Sequence, residues 1–182
     1  LDKAKDPELL LAMRKAGINM VCIGFESPIA EELRAMNKHI KPEDMLSLTK
    51  VFHKFGFLVH GMFIFGYPFK GEKKFVMSAE ERVKHFKKFI RKAKLDTIQV
   101  LLPIPLPGTL LRERLEKQNR VYPVREVGWE YYDGNFPLFE PDEPMTAEEM
   151  HAAVRKIMGM VYHFRNMWLV GFHIFSFPSL LF

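Results

Sequence analysis

The sequence predicts an α/β fold, in which helices cover a parallel β-sheet. Three short runs of largely apolar residues have strand character: NMVCIGF (19–25), FLVHGMFIF (57–65) and DTIQVLLPI (96–104). Amphipathic segments of helical period separate these runs. Strands that are apolar throughout and alternate with helices are typical of parallel sheets, because helices then lie outside the sheet.

Capping signals delimit the helices of the first half. Asp6-Pro7-Glu8 predicts a helix start, and Gly17 predicts its end. Ser27-Pro28 predicts the start of a second helix, IAEELRAM. A third helix, EDMLSLTKVFHKF, is expected to end at Gly56.

Two capping boxes mark the helices of the second half. Ser78 with Glu81 predicts a helix over 79–93, and Thr146 with Glu149 predicts a long helix reaching about Trp168. Between them, the third strand runs into PIPLPGT and a further helix, LLRERLEKQ.

The chain divides by composition at about residue 120. Residues 1–120 hold the strand–helix alternation, and residues 121–182 form an extension with an aromatic and proline-rich segment, a long helix and an apolar tail. Membrane-spanning helices need about 20 apolar residues, whereas Gly171, His173 and Pro178 interrupt the tail. We expect the tail to pack on protein, with peripheral membrane contact through 167–182 as the alternative.

Composition narrows the functional classes. The net charge of +5 comes from residues 70–94, which hold ten Lys/Arg and three Glu, so it is weak evidence for nucleic-acid binding. Cys22 is the single cysteine, which excludes an internal disulfide and any cysteine-built zinc or iron–sulfur site. This fits a reducing cytoplasm. We expect Cys22 to be a buried strand residue.

The candidate site lies where the predicted strands end. Glu26-Ser27, Gly66-Tyr67-Pro68 and Pro103–Thr109 each follow a strand. In parallel α/β folds that edge carries the ligand. Glu26 can accept hydrogen bonds from a ribose or an ammonium group, or be a surface acid. Ser27 can donate to a carboxylate, cap the next helix, or do both.

Three further residues have two interpretations each. His60 is in phase with Met62 and Ile64 on one strand face, where it is either a structural histidine with polar partners or a ligand contact. Gly66 is either a turn glycine or a point where backbone approaches a flat ligand. Pro105 lies in a loop stiffened by prolines, which is either a connector or a lid. No residue set suggests a metal site.

The ordered segments IGFES (23–27), VHGMFIFGYP (59–68) and LLPIPLPGT (101–109) resemble the radical S-adenosylmethionine (SAM) enzymes. Similar "GxES", "GxFIxGxP" and "PLPGT" segments occur in the group that often carries a cobalamin-binding domain. The resemblance covers about residues 1–160. It implies a partial TIM-like (β/α)6 barrel, of which the chain holds the last three strand–helix units and a C-terminal helical extension.

The resemblance also implies cofactors and binding residues. A [4Fe–4S] cluster would cleave SAM and start radical chemistry on a small-molecule substrate, and cobalamin would serve methyl transfer in part of the group. Glu26 and Ser27 would hold the ribose and methionine moieties. Phe63, Ile64, Phe65 and Gly66 would lie near the adenine, with His60 and Pro105 also expected at the cofactor.

One departure from the family is decisive for activity. The CxxxCxxC cluster motif is absent, because the chain has a single cysteine. Its first residues, from Leu1, already have mid-domain character. We therefore expect a fragment that is inactive alone, that has exposed sheet edges, and whose partner is the missing N-terminal half of the barrel.

The sequence leaves two other functions as alternatives. A barrel lyase or isomerase with a phosphate site would need a Gly-rich phosphate loop or a strand lysine, and the sequence shows neither. A non-catalytic α/β binding module would use the basic helix 79–93 for nucleic acid or the apolar tail for membrane.

Overall fold

The structure, a computed structural model, describes residues 2–69 and 76–163. Its strands are β1 (Met20–Glu26), β2 (Leu58–Ile64) and β3 (Thr97–Leu101). Its α-helices are α1 (Pro7–Lys15), α2 (Ala30–Ala35), α3 (Pro42–Lys54), α4 (Ala79–Ala93), α5 (Leu110–Lys117), α6 (Val124–Val127) and α7 (Ala147–Val161). Short 3-10 turns span Asp2–Lys5 and Trp129–Tyr131.

The three strands form one parallel sheet in the order β1-β2-β3. The register places Cys22 beside His60, and His60 beside Thr97. The predicted α/β fold with a parallel sheet is therefore confirmed, and all three strand ends lie at one edge.

One face of the sheet packs against α4 in an aromatic core. Phe25 stacks on Phe63 with ring centroids 5.5 Å apart. Phe63 also contacts Phe86 and Phe89 of α4, at 5.7 and 6.0 Å. Aromatic pairs at these separations add to the free energy gained by burial. The high phenylalanine content thus serves the contact between sheet and helix.

The opposite face of the sheet is only partly covered. Cys22 and Gln99 are exposed there, while His60, Met62 and Thr97 are half-buried. The expectation of a buried Cys22 is therefore wrong. A run such as VCIGF reads as buried on both faces, but only Ile23 and Phe25 and their neighbours on the helix side are packed.

The helix starts agree with the predicted capping residues, with one exception. Asp6 caps α1 by accepting from the amide of Leu9 at 3.0 Å, and both predicted capping boxes form. The exception is α2, which begins at Ala30 after the N-cap residue Ile29, and not at Ser27-Pro28. The serine hydroxyl is used inside the turn before the helix.

The extension packs onto the sheet domain. Helix α7 buries Met150, Ala153 and Ile157 in the same core as α4 and β3. It ends at Val161, and the predicted continuation over 164–168 lies outside the described residues. The apolar tail 167–182 lies outside the described residues. Within the described residues, no helix has the length and apolar character needed to cross a membrane.

Candidate functional site at the carboxyl edge of the sheet

Glu26 ends β1 in an unusual backbone conformation. Its φ is +64°, in the left-handed region, and the β1–β2 register shifts between Gly24 and Glu26. The amide of Ser27 donates to the carbonyl of Phe25 at 2.8 Å, which closes a tight turn. A left-handed glutamate is uncommon and persists only where its surroundings hold it.

The side chain of Glu26 forms an ion pair at this edge. Its Oε1 accepts from Nζ of Lys38 at 3.0 Å, and the side chains are 21% and 47% exposed. An exposed pair of this kind contributes little to stability. It does present a carboxylate and an ammonium group side by side, both open to solvent.

Ser27 lies behind this pair and is fully buried. Its hydroxyl accepts from the amide of Ile29 at 3.0 Å and donates to Oε2 of Glu32. Both hydrogen bonds stay within the protein, so the hydroxyl does not face a ligand. The predicted role of Ser27 as a direct donor to a ligand carboxylate lacks support from this geometry.

Sequence reasoning missed the buried ion pair next to Ser27. Nη1 of Arg82, on α4, donates to Oε1 of Glu32, on α2, at 2.8 Å, and both side chains are 1% exposed or less. Burial raises the pKa of Glu32 to about 7, although Arg82 and Ser27 act in the opposite direction. Fifty residues separate the partners in sequence, and no local pattern pairs them.

Gly66 follows β2 with a φ of +77°. A β-carbon there would lie 2.6 Å from Sδ of Met150 and 3.1 Å from Cε of Met145. The close approach foreseen at this glycine is therefore to the extension, through two methionines, and not to a flat ligand on that side.

The residues predicted near an adenine point in two directions. The side chains of Phe63 and Phe65 are buried on the helix side, with 2% and 0% exposure, so only their backbone could contact a ligand. Ile64 is half-buried on the open face, beside Leu101. Among the four residues predicted near the adenine, Ile64 is therefore the one whose side chain faces the open side of the sheet.

His60 lies on the open face of the sheet, four residues before Ile64 at the end of β2. Its Nδ1 is 2.8 Å from Oγ1 of Thr97, the polar partner that a structural histidine needs. Burial lowers the pKa of His60. Within the described residues, no group of three or more His, Cys, Asp or Glu side chains could hold a metal.

The loop after β3 is fixed by α5. Pro105 is buried, and its carbonyl accepts from Nη1 of Arg112 at 3.3 Å. The same guanidinium donates to the Tyr132 hydroxyl at 3.1 Å, and Nη2 of Arg114 donates to the Pro68 carbonyl at 3.0 Å. These bonds favour the connector interpretation of the proline loop over a mobile lid.

The fold and the residues at the strand ends define a class of protein. The chain is an α/β protein whose parallel sheet gathers Glu26, the Gly66 turn and the Pro105 loop at one edge. Ligand sites of open α/β sheets lie at this edge. No protein-family model matches the chain.

Particular relatives are found in the curated proteins. The chain is 28% identical over 157 residues to a bacteriochlorophyllide d C-12(1)-methyltransferase of Chlorobaculum tepidum, covering 86% of this chain and 31% of the relative. It is 28% identical over 145 residues to an uncharacterized methyltransferase of Pyrococcus horikoshii, covering 80% and 29%. It is 30% identical over 125 residues to a putative methylthiotransferase of Methanocaldococcus jannaschii, covering 66% and 26%.

The chain is also similar to a solved structure. It is coproporphyrinogen III oxidase (HemN) of Escherichia coli, described as a radical SAM enzyme, with a TM-score of 0.49 and 17% identity. The match covers 76% of this chain and 32% of that chain. The chain spans about three tenths of the length of the curated relatives it matches.

Proposed function

We propose that this chain is the carboxyl-terminal part of the core of a radical SAM methyltransferase or methylthiotransferase, and that the edge at Glu26 binds SAM. The observation that carries the proposal is the position of Glu26. The motif that resembles "GxES" ends β1 in a left-handed turn that leaves the carboxylate partly exposed beside Lys38. The names of the curated relatives, two methyltransferases and a putative methylthiotransferase, support transfer of a methyl or methylthio group.

The charges at this edge fit one part of SAM. Its methionine moiety carries an ammonium and a carboxylate group on one carbon. The Glu26 carboxylate matches the first and the Lys38 ammonium matches the second, and these two side chains already lie 3.0 Å apart. On binding, each would exchange its partner in the ion pair for the oppositely charged group of the ligand.

The cluster does not fit the residues present. A [4Fe–4S] cluster is held by several thiolates, and this chain has the single cysteine Cys22. Cys22 lies on the open face in mid-strand, away from Glu26 at the strand end. With a single thiolate, this chain cannot hold such a cluster by itself.

Isothermal titration calorimetry with SAM tests the binding proposal. Replacing the charged acceptor in Glu26→Gln removes a charge-assisted hydrogen bond, so we expect affinity to fall about tenfold or more. Glu31→Gln is the matched control, because Glu31 is an exposed acid of α2 that pairs with Arg34 on the same helix. Equal affinity in wild type and Glu26→Gln would remove Glu26 from the site.

The enzyme assignment has a separate test in the coding sequence. Reading the gene upstream of the Leu1 codon should show a CxxxCxxC motif in the same frame. An open reading frame that starts near Leu1 would contradict the assignment for this product.

A second candidate function rests on the basic face of α4. A shallow depression of about 420 Å³ on this face is lined by five basic residues: Lys84, Lys87, Lys88, Arg91 and Lys92. Among these, Lys84 has an acidic partner, Glu80 at 3.2 Å. Nucleic-acid binding through this face would weaken steeply as the salt concentration rises, and it would weaken when these basic residues are neutralised. Binding that does not change between low and high salt would eliminate this candidate.

A further inference from the structure

The buried carboxylate of Glu32 has no role in the function proposed above. We infer that Glu32 is a positioning residue for the end of β1. Held by Arg82, it fixes Ser27, and through Ser27 the left-handed turn that presents Glu26. This inference rests on the proposed function in one respect, namely that the ligand of Glu26 is SAM.

The chain of contacts is continuous. Oε1 of Glu32 accepts from Arg82 at 2.8 Å, and its Oε2 accepts from the Ser27 hydroxyl. That hydroxyl also accepts from the amide of Ile29, so Ser27 is bonded on both sides. Glu26 precedes Ser27 directly and takes the φ of +64°. Each link is buried except the last, which faces solvent.

Arg82 extends the network to the end of β2. Its Nε donates to the Met77 carbonyl at 3.3 Å, and its guanidinium carbon lies 5.8 Å from the ring centroid of Phe69. Phe69 belongs to the turn that follows Gly66. The amide of Phe69 is held in turn by Asp142 at 2.7 Å. One buried guanidinium thus contacts the segments that follow both strands.

Stability alone is a weak reason for this arrangement. A buried ion pair must overcome the desolvation of two charges, and apolar replacements of similar volume are often as stable. A left-handed non-glycine residue adds a further cost. The first cost falls on the pair behind Ser27, and the second falls on Glu26 itself. Their common effect is to define the conformation of that one strand end.

The experiment compares Ser27→Ala, Glu32→Gln and the double variant, with Glu31→Gln as the control. The first readout is nuclear magnetic resonance of the Glu26 amide and side-chain carboxyl, and the second is SAM affinity by calorimetry. If Glu32 acts through Ser27, the two single variants shift the Glu26 signals in the same way. Each also lowers the affinity for SAM about fivefold. The double variant then adds little, since residues in one network are not additive.

The pH dependence separates positioning from simple packing. The charged and polar groups around the Glu32 carboxyl are Arg82 from α4, Ser27 from the turn and Glu31 from its own helix. In wild type, the Glu26 signals should change as Glu32 titrates near neutral pH, and this change should vanish in Glu32→Gln. Glu26 signals that stay constant while stability falls would overturn the inference.

Failure of the function and failure of the inference give different results. If wild type does not bind SAM, the proposed function fails, while the Glu26 resonances still decide whether Glu32 positions the turn. If circular dichroism shows that Glu32→Gln does not fold, Ser27→Ala removes only one hydroxyl and carries the same test. Additive effects of the two substitutions would also contradict the inference.

Discussion

The hydroxyl of Tyr162 forms hydrogen bonds with both backbone groups of Ile98, on the lateral edge of the sheet that β3 forms. It accepts from the amide nitrogen at 3.0 Å and donates to the carbonyl oxygen. Next along the same edge, the amide of Leu102 donates to the carbonyl of Gly134 at 2.7 Å. The extension therefore contacts one of the two sheet edges, although exposed edges are expected from the sequence. On the other side of the sheet, β1 has no second strand partner within the described residues.

Tyr162→Phe should lower the free energy of unfolding by about 1–3 kcal/mol. The substitution leaves a partly buried backbone amide and carbonyl of Ile98 without their partner, which costs more than an average hydrogen bond. Urea denaturation followed by circular dichroism measures the change. Tyr122→Phe is the control, because its hydroxyl donates to Glu140 in an exposed bond. Equal losses in both variants would show that the edge contact has no special weight.

The features that sequence could predict are those that depend on near neighbours. The capping boxes at Ser78 and Thr146 need residues three positions apart, and both form. The strands follow from apolar runs that no helix period interrupts. The exposure of Cys22 and the hydrogen bonds of Ser27 depend instead on residues that are distant in sequence or on the packing of the whole sheet. Only one face of the sheet is packed, and Glu32 takes up the serine hydroxyl.

Gly66→Ala should destabilise the protein more than Gly108→Ala. The two glycines have nearly the same φ, +77° and +79°, so the backbone cost of about 1 kcal/mol is shared. At Gly66, a β-carbon would also meet Sδ of Met150 at 2.6 Å, whereas nothing lies within 4 Å at Gly108. We expect about 1–3 kcal/mol of additional loss from overpacking.

A second substitution tests whether Met150 is the cause. Met150→Ala removes the sulfur that the new methyl group would meet, so Gly66→Ala should cost less in that background. Thermal denaturation of the four proteins closes this cycle. A cost at Gly66 that is unchanged without Met150 would assign the effect to the backbone alone.

Cys22 should react with a thiol reagent in the folded protein. Its side chain is exposed on the open face of the sheet, although the sequence predicted burial. One equivalent of Ellman's reagent should be consumed without denaturant, and none by Cys22→Ser. Reaction only after unfolding would show that the face is covered in solution.

The Glu32 carboxyl should make stability depend on pH in an unusual direction. Burial raises its pKa from 4.5 to about 7 in the folded protein. The folded state then binds the proton more tightly than the unfolded state, so between about pH 4.5 and 7 the free energy of unfolding falls as pH rises. The pH-dependent difference between wild type and Glu32→Gln should be on the order of 3 kcal/mol across this window.

Urea denaturation at four pH values from 4.5 to 8 measures this difference. The lowered pKa of His60 has the opposite effect, because the unfolded state then binds the proton more tightly and stability rises with pH. His60 is present in both proteins, so its contribution cancels when wild type and Glu32→Gln are subtracted. Glu31→Gln should change the wild-type slope only slightly, because the Glu31 carboxylate is a minor cause of the raised pKa of Glu32. A constant difference between wild type and Glu32→Gln would mean that the pair with Arg82 stays charged throughout this range, with attraction outweighing burial.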